Sequence, residues 1–120
     1  MSLDVHLSRK RWISYDGGIT HTEENEEVYW ANITHNLGKM ADKAGIYKAL
    51  WRPEEIDAVF ACDIIEIVER GLTDLKDDPA YFKKFDSPNG WGKYDHFVPF
   101  VEKYLEALKK YSQAIINISR

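Results

Sequence analysis

Four histidines, His6, His21, His35 and His96, are the side chains of this sequence best suited to moving protons or holding a metal near neutral pH. No two of them stand three or four residues apart, so no helical face carries a ligand pair and no metal site or cofactor is expected. His35 lies in Thr34-His35-Asn36, where a strand gives way to a helix. Backbone amides at such a junction can hold an anionic group, and helix capping by Thr34 accounts for the same residues. His96 follows Asp95, which suggests either a His–carboxylate pair for general acid–base chemistry or an Asp95 helix cap beside a solvated histidine. The cap is the simpler reading, because adjacent helical residues do not face each other.

Two further segments suit recognition better than catalysis. Trp51-Arg52-Pro53-Glu54-Glu55 supplies an indole and a guanidinium, which stack on planar ligands or anchor partners. The competing reading packs Trp51 in the core and pairs Arg52 with a glutamate. Asn89-Gly90-Trp91-Gly92 sets backbone amides beside an indole, a combination suited to stacking a base, and equally to a tight turn with a Trp lid over the core. Cys62, the sole cysteine, rules out an internal disulfide and a multi-thiolate zinc site, and is expected to be a buried, inert thiol. The sequence contains no phosphate-binding glycine loop, no Gly-x-Gly-x-x-Gly, no Gly-x-Ser-x-Gly and no His-Glu-x-x-His.

Positioning these residues requires an α+β fold. Leu3, Val5 and Leu7 alternate with Asp4, His6 and Ser8, which predicts a half-buried strand. Asp16-Gly17-Gly18 predicts a loose hairpin or loop, and residues 27–32 a second strand. Leu37, Met40, Ala41 and Ala44 recur at helical spacing after Thr34 and stop at Gly45. One more helical turn is expected through Trp51, broken at Arg52-Pro53. The strongest apolar stripe, Ala61, Ile64, Ile65, Val68, Leu72 and Leu75, predicts a helix over 58–76. Asp78-Pro79 opens a short helix, and a final helix is expected from about Asp95, which keeps Pro99 near its first turn. Ala114, Ile116 and Ile118 alternate with Ile115, Asn117 and Ser119 as a closing strand. The expected architecture is one domain, residues 1–120, with a short antiparallel sheet of about three strands, including the first and last segments, covered by amphipathic helices.

Composition narrows the partners. The net charge is −4, with 16 Lys and Arg interspersed among 20 Asp and Glu, so duplex nucleic acid is not an expected partner. The densest basic cluster, Arg9-Lys10-Arg11, is short and reads as a solvated strand end or loop. Residues 1–6 lack the apolar run of a signal peptide or membrane span, so a cytoplasmic protein without a membrane partner is expected. Aromatic residues make up 13% of the chain, an excess that favours an interface or ligand pocket.

The segments 31–41, Gly45-Ile46-Tyr47, 50–56, Asp78-Pro79, 82–85, 89–94 and 100–105, with the first and last strands, resemble a family of small uncharacterised proteins of bacteriophage and bacterial genomes. The resemblance implies a phage or bacterial source and carries no mechanism. The surplus of Trp and Tyr with no catalytic motif leads to the functional expectation of a binding protein that captures a small polar, nucleotide-like ligand or a host protein through His35, Asn36, Trp51, Arg52, Asn89 and Trp91. The alternatives are a small hydrolase or nuclease using Asp95 or Glu54 with His35 or His96, and a structural homo-oligomer such as a homodimer.

Overall fold

Alternation in the first strand produces a sheet with one covered face. In the computed structural model, which describes the backbone of residues 2–15 and 20–120 and the side chains of residues 2–10 and 24–120, Leu3, Val5 and Leu7 are fully buried. The protein is α+β, with a three-stranded antiparallel sheet in the order β2-β1-β3, formed by β1 (Ser2–Tyr15), β2 (Thr20–Thr34) and β3 (Ile115–Ser119). Val5 opposes Ala31 on one side and Ile118 on the other, and Leu7 opposes Tyr29 and Ile116, so these residues share the covered face. Asp4, His6, Asn32, Trp30 and Asn117 take the opposite face.

The second strand is longer than the sequence predicts, and a charge pair marks the start of the added stretch. Residues 20–26 carry no apolar alternation, so nothing local marks them as a strand. Opposite them, however, the register sets Arg9 against Glu26 and Arg11 against Glu24, and Arg9 Nε donates to Glu26 Oε2 at 3.0 Å. Arg9-Lys10-Arg11 is thus the basic half of a two-strand ribbon. A bulge at Val28, between the pairs Leu7–Tyr29 and Ser8–Glu27, separates this ribbon from the three-stranded region. The turn expected at Asp16-Gly17-Gly18 lies outside the described residues.

The helices are α1 (Gly38–Lys43), α2 (Tyr47–Trp51), α3 (Ile65–Asp77), α4 (Pro79–Lys83) and α5 (Tyr94–Lys110). Their apolar stripes meet the sheet in one core, in which Met40, Leu50, Val68, Leu75, Phe97, Val101 and Leu108 lie with the β1 leucines. Each fully buried side chain of this kind contributes about 1.5–3 kcal/mol. Gly45 ends α1 at φ 75°, and the following Ile46 amide donates back to the Ala41 carbonyl at 2.9 Å. Gly71 allows α3 to press on the segment after α1, since a Cβ there would stand 2.2 Å from Ile46 Cγ2.

Three expectations need correction. The helix expected over 58–76 begins only at Ile65. The segment before it is captured by β3, with the Ala61 amide donating to Ala114 O at 2.8 Å and the Ile116 amide to Val59 O at 2.9 Å. Asp63 fixes that bend by accepting the Val59 and Phe60 amides at 3.0 and 2.9 Å. Cys62 is exposed rather than buried, because the 3₁₀ turn Ala61–Asp63 directs Ala61 inward instead. Asp95 does not cap α5: Asp86 Oδ1 accepts the Tyr94 amide at 2.7 Å, the helix starts at Tyr94, and Pro99 lies inside it. Asp95 and Pro99 are both exposed, so water can reach the carbonyl that proline leaves without an amide partner.

Candidate functional site

Where β2 runs into the 3₁₀ turn His35–Leu37, Thr34 accepts the Asn36 amide at 3.3 Å, and the chain turns towards α1. The turn is three residues long and that donor is already satisfied, so the junction offers little to an anion. Facing it is the loop 86–93. The Ser87 amide closes on Gly92 O at 2.9 Å, and Asn89 Oδ1 accepts from the Trp91 amide at 2.9 Å and the Ser87 hydroxyl at 2.6 Å. Gly92, at φ 106°, docks this loop on the turn, since a Cβ there would lie 2.9 Å from Asn36 Cβ and 3.2 Å from Thr34 Cγ2. Asn36 Nδ2 completes the join by donating to Trp91 O at 2.8 Å.

Between the two lies a cleft of about 760 Å³, within the range of small-molecule sites. His35, Asn36 and Trp91 line it together with Asn32, Thr34, His96, Ser2 and the glycines of the loop. Trp91 is 71% exposed, so its indole is an open platform rather than a lid over the core.

The other three expected residues have different places. Trp51 is only 3% exposed and lies behind the cleft wall, where its indole stacks on Tyr47 at 5.4 Å and Nε1 donates to His35 Nδ1 at 2.8 Å. Arg52 pairs with Glu55 at 3.6 Å and does not line the cleft. Asn89 shapes the loop without lining the cleft. The Glu54 carboxyl is held below its usual range, first by the hydrogen bond from Arg120, whose Nη1 also donates to Trp51 O at 2.9 Å.

Ser2 and Asn32 are cleft residues that were absent from the sequence-based set. Asn32 shares a face of β2 with Thr34, a signal that strand alternation carries, whereas Ser2 arrives only because it pairs with Thr34 across the sheet. Asn32 Nδ2 donates to Ser2 Oγ at 2.9 Å and to Asp4 Oδ1. Among the described residues no Lys, Arg, Asp or Glu lines the cleft, and no group of three or more His, Cys, Asp and Glu could hold a metal. No helix among them is long and apolar enough to cross a membrane. No protein-family model, curated protein or solved structure matches this chain.

Proposed function

We propose that the protein is a binding protein, and that the cleft between the β2–α1 junction and the loop 86–93 captures a small polar ligand bearing a planar group. The observation that carries this reading is the convergence of His35, Asn36 and an exposed Trp91 on a single cleft from segments 55 residues apart. An indole platform beside a few directional hydrogen-bonding groups is the usual composition of such sites. The acid–base alternative has less support, because Glu54 is occupied by Arg120 and Asp95 does not line the cleft with His35 or His96. A phage or bacterial accessory protein would suit this role.

Titration calorimetry with a panel of nucleobases, nucleosides and nucleotides, followed in parallel by tryptophan fluorescence, tests the proposal. Binding should appear for at least one class and weaken at least tenfold in Trp91→Ala, while Arg52→Ala leaves it unchanged. Full-strength binding by Trp91→Ala would remove the cleft from consideration.

A further inference from the structure

The hydrogen bond from Trp51 decides more than the orientation of His35. An indole N–H can only donate, so His35 Nδ1, 2.8 Å from Trp51 Nε1, must accept. In the neutral ring the proton then resides on Nε2. That nitrogen projects from the far side of the ring, away from the buried Trp51, and has no protein partner among the described residues. His35 therefore presents a donor at the cleft. Asn36 contributes the complement. Its Nδ2 is engaged by Trp91 O at 2.8 Å, which fixes the carboxamide and leaves Oδ1 as an acceptor.

Charge sets a second constraint. With no Lys or Arg lining the cleft among the described residues, a phosphate group would lose its hydration without gaining a permanently charged partner. His35 accepts from Trp51 only as a neutral ring, which leaves His96 alone to offer a charge-assisted hydrogen bond there.

We infer that the cleft selects an uncharged planar heterocycle displaying an acceptor beside an N–H donor, the lactam edge of a nucleobase or nucleoside, with Trp51 acting as the positioning residue that holds His35 in its Nε2–H form. The inference rests on the capture reading above and specifies its ligand. His35 Nε2–H donates to the ring carbonyl, Asn36 Oδ1 accepts the adjacent ring N–H, and the Trp91 indole covers the base. A terminal phosphate adds nothing to the affinity.

The experiment uses the whole chain with uridine, 3-methyluridine, thymidine, inosine and uridine 5′-monophosphate as probes. Long-range ¹H–¹⁵N correlation of the histidine rings reports the His35 tautomer independently of any ligand. The expected results are an Nε2–H ring in the free protein that becomes a tautomer mixture in Trp51→Phe, and binding of at least one lactam nucleoside. Where uridine binds, methylation of its ring N–H should weaken it about tenfold, the effect of one lost hydrogen bond. Trp51→Phe and His35→Ala should weaken binding similarly, the latter serving if the former does not fold. An Nδ1–H ring in the native protein overturns the inference whatever binds. So does tight binding that requires the phosphate or tolerates methylation, and in that case the capture reading survives. If no probe perturbs Trp91, the lactam inference is refuted, and nucleotides in the wider panel then decide the capture reading separately.

Discussion

Two tryptophans, each beside a polar turn, have opposite fates in this molecule. Trp51 ends a helix and is sealed against Tyr47 and His35 at 3% exposure, while Trp91 sits on a hydrogen-bonded loop at 71% exposure. In sequence both look like recognition segments, one supplying a guanidinium and the other backbone amides. The difference lies in what each backbone is anchored to. Residues 47–56 are tied inward by the Trp51 side chain and outward by Arg52–Glu55 and Glu54–Arg120 pairs, so the indole is withheld from solvent and the guanidinium lies outside the cleft. The loop 86–93 satisfies its own polar groups through Ser87, Asn89 and Gly92, so the indole is free to face solvent. An aromatic residue next to polar ones stays exposed when its loop closes on itself rather than on the core.

The sharpest way to break this contrast is to truncate both rings. Trp51→Ala should cost about 3–5 kcal/mol in urea unfolding, the usual range for a large core aromatic, whereas Trp91→Ala should stay within about 0.5 kcal/mol of the parent. Equal losses would mean that the two rings are not divided into support and platform.

Glycine substitutions in the loop come next. Gly92→Ala combines a left-handed backbone with a 2.9 Å approach to Asn36 Cβ, and should cost about 2–3 kcal/mol with visible shifts in the amide resonances of residues 34–36. Gly90→Ala shares the positive φ, at 80°, but meets nothing within 4 Å, so about 1 kcal/mol is expected without those shifts.

Two buried tyrosines extend the comparison to hydroxyl groups. Tyr94 Oη donates to Leu75 O at 2.7 Å, whereas Tyr104 Oη is buried without a partner among the described residues. Burial, with Tyr29 alongside, pushes the Tyr104 hydroxyl well above its ordinary ionisation range. Removing a satisfied hydroxyl loses its bond, while removing an orphaned one relieves its desolvation. Thermal unfolding should therefore show Tyr94→Phe less stable by about 1 kcal/mol and Tyr104→Phe more stable by a similar amount.

The smallest effect concerns Asp63. Backbone hydrogen bonds from Phe60 and then Val59 hold its carboxyl below the usual range. A depressed folded value stabilises the protein fully above the ordinary aspartate value of about 3.9, and the contribution vanishes as pH falls through the lowered folded value. The stability gap between the parent and Asp63→Asn should be present at neutral pH and close on the acid side of pH ~4. A gap that widens there would contradict the assigned role.

Some of this could be read residue by residue. Alternation at Leu3, Val5 and Leu7 marks β1 and its buried face, and the stripe of Val68, Leu72 and Leu75 marks α3, because burial of one face leaves a period in the sequence. Gly45 marks the end of α1 for an equally local reason, its positive φ. The start of α3 was hidden, since Ala61 and Ile64 continue a helical period even though the backbone at Val59 and Ala61 bonds to Ile116 and Ala114 instead. The first half of β2 was hidden as well, because residues 20–26 carry no apolar alternation and are defined by their pairing with a distant stretch of β1. In the site, His35, Asn36 and Trp91 were legible by residue type, and Arg52 and Asn89 carried the same signal without reaching the cleft.

The sequence by itself therefore determined the α+β class, the buried faces and the supply of aromatic and amide groups, because periodicity and side-chain type are local properties. Only the tertiary structure decided which groups share a cleft, which indole is sealed and which nitrogen of His35 faces Trp51. Those outcomes depend on contacts such as Asn36–Trp91 and Trp51–His35, which join residues 55 and 16 positions apart and leave no periodic trace in the chain.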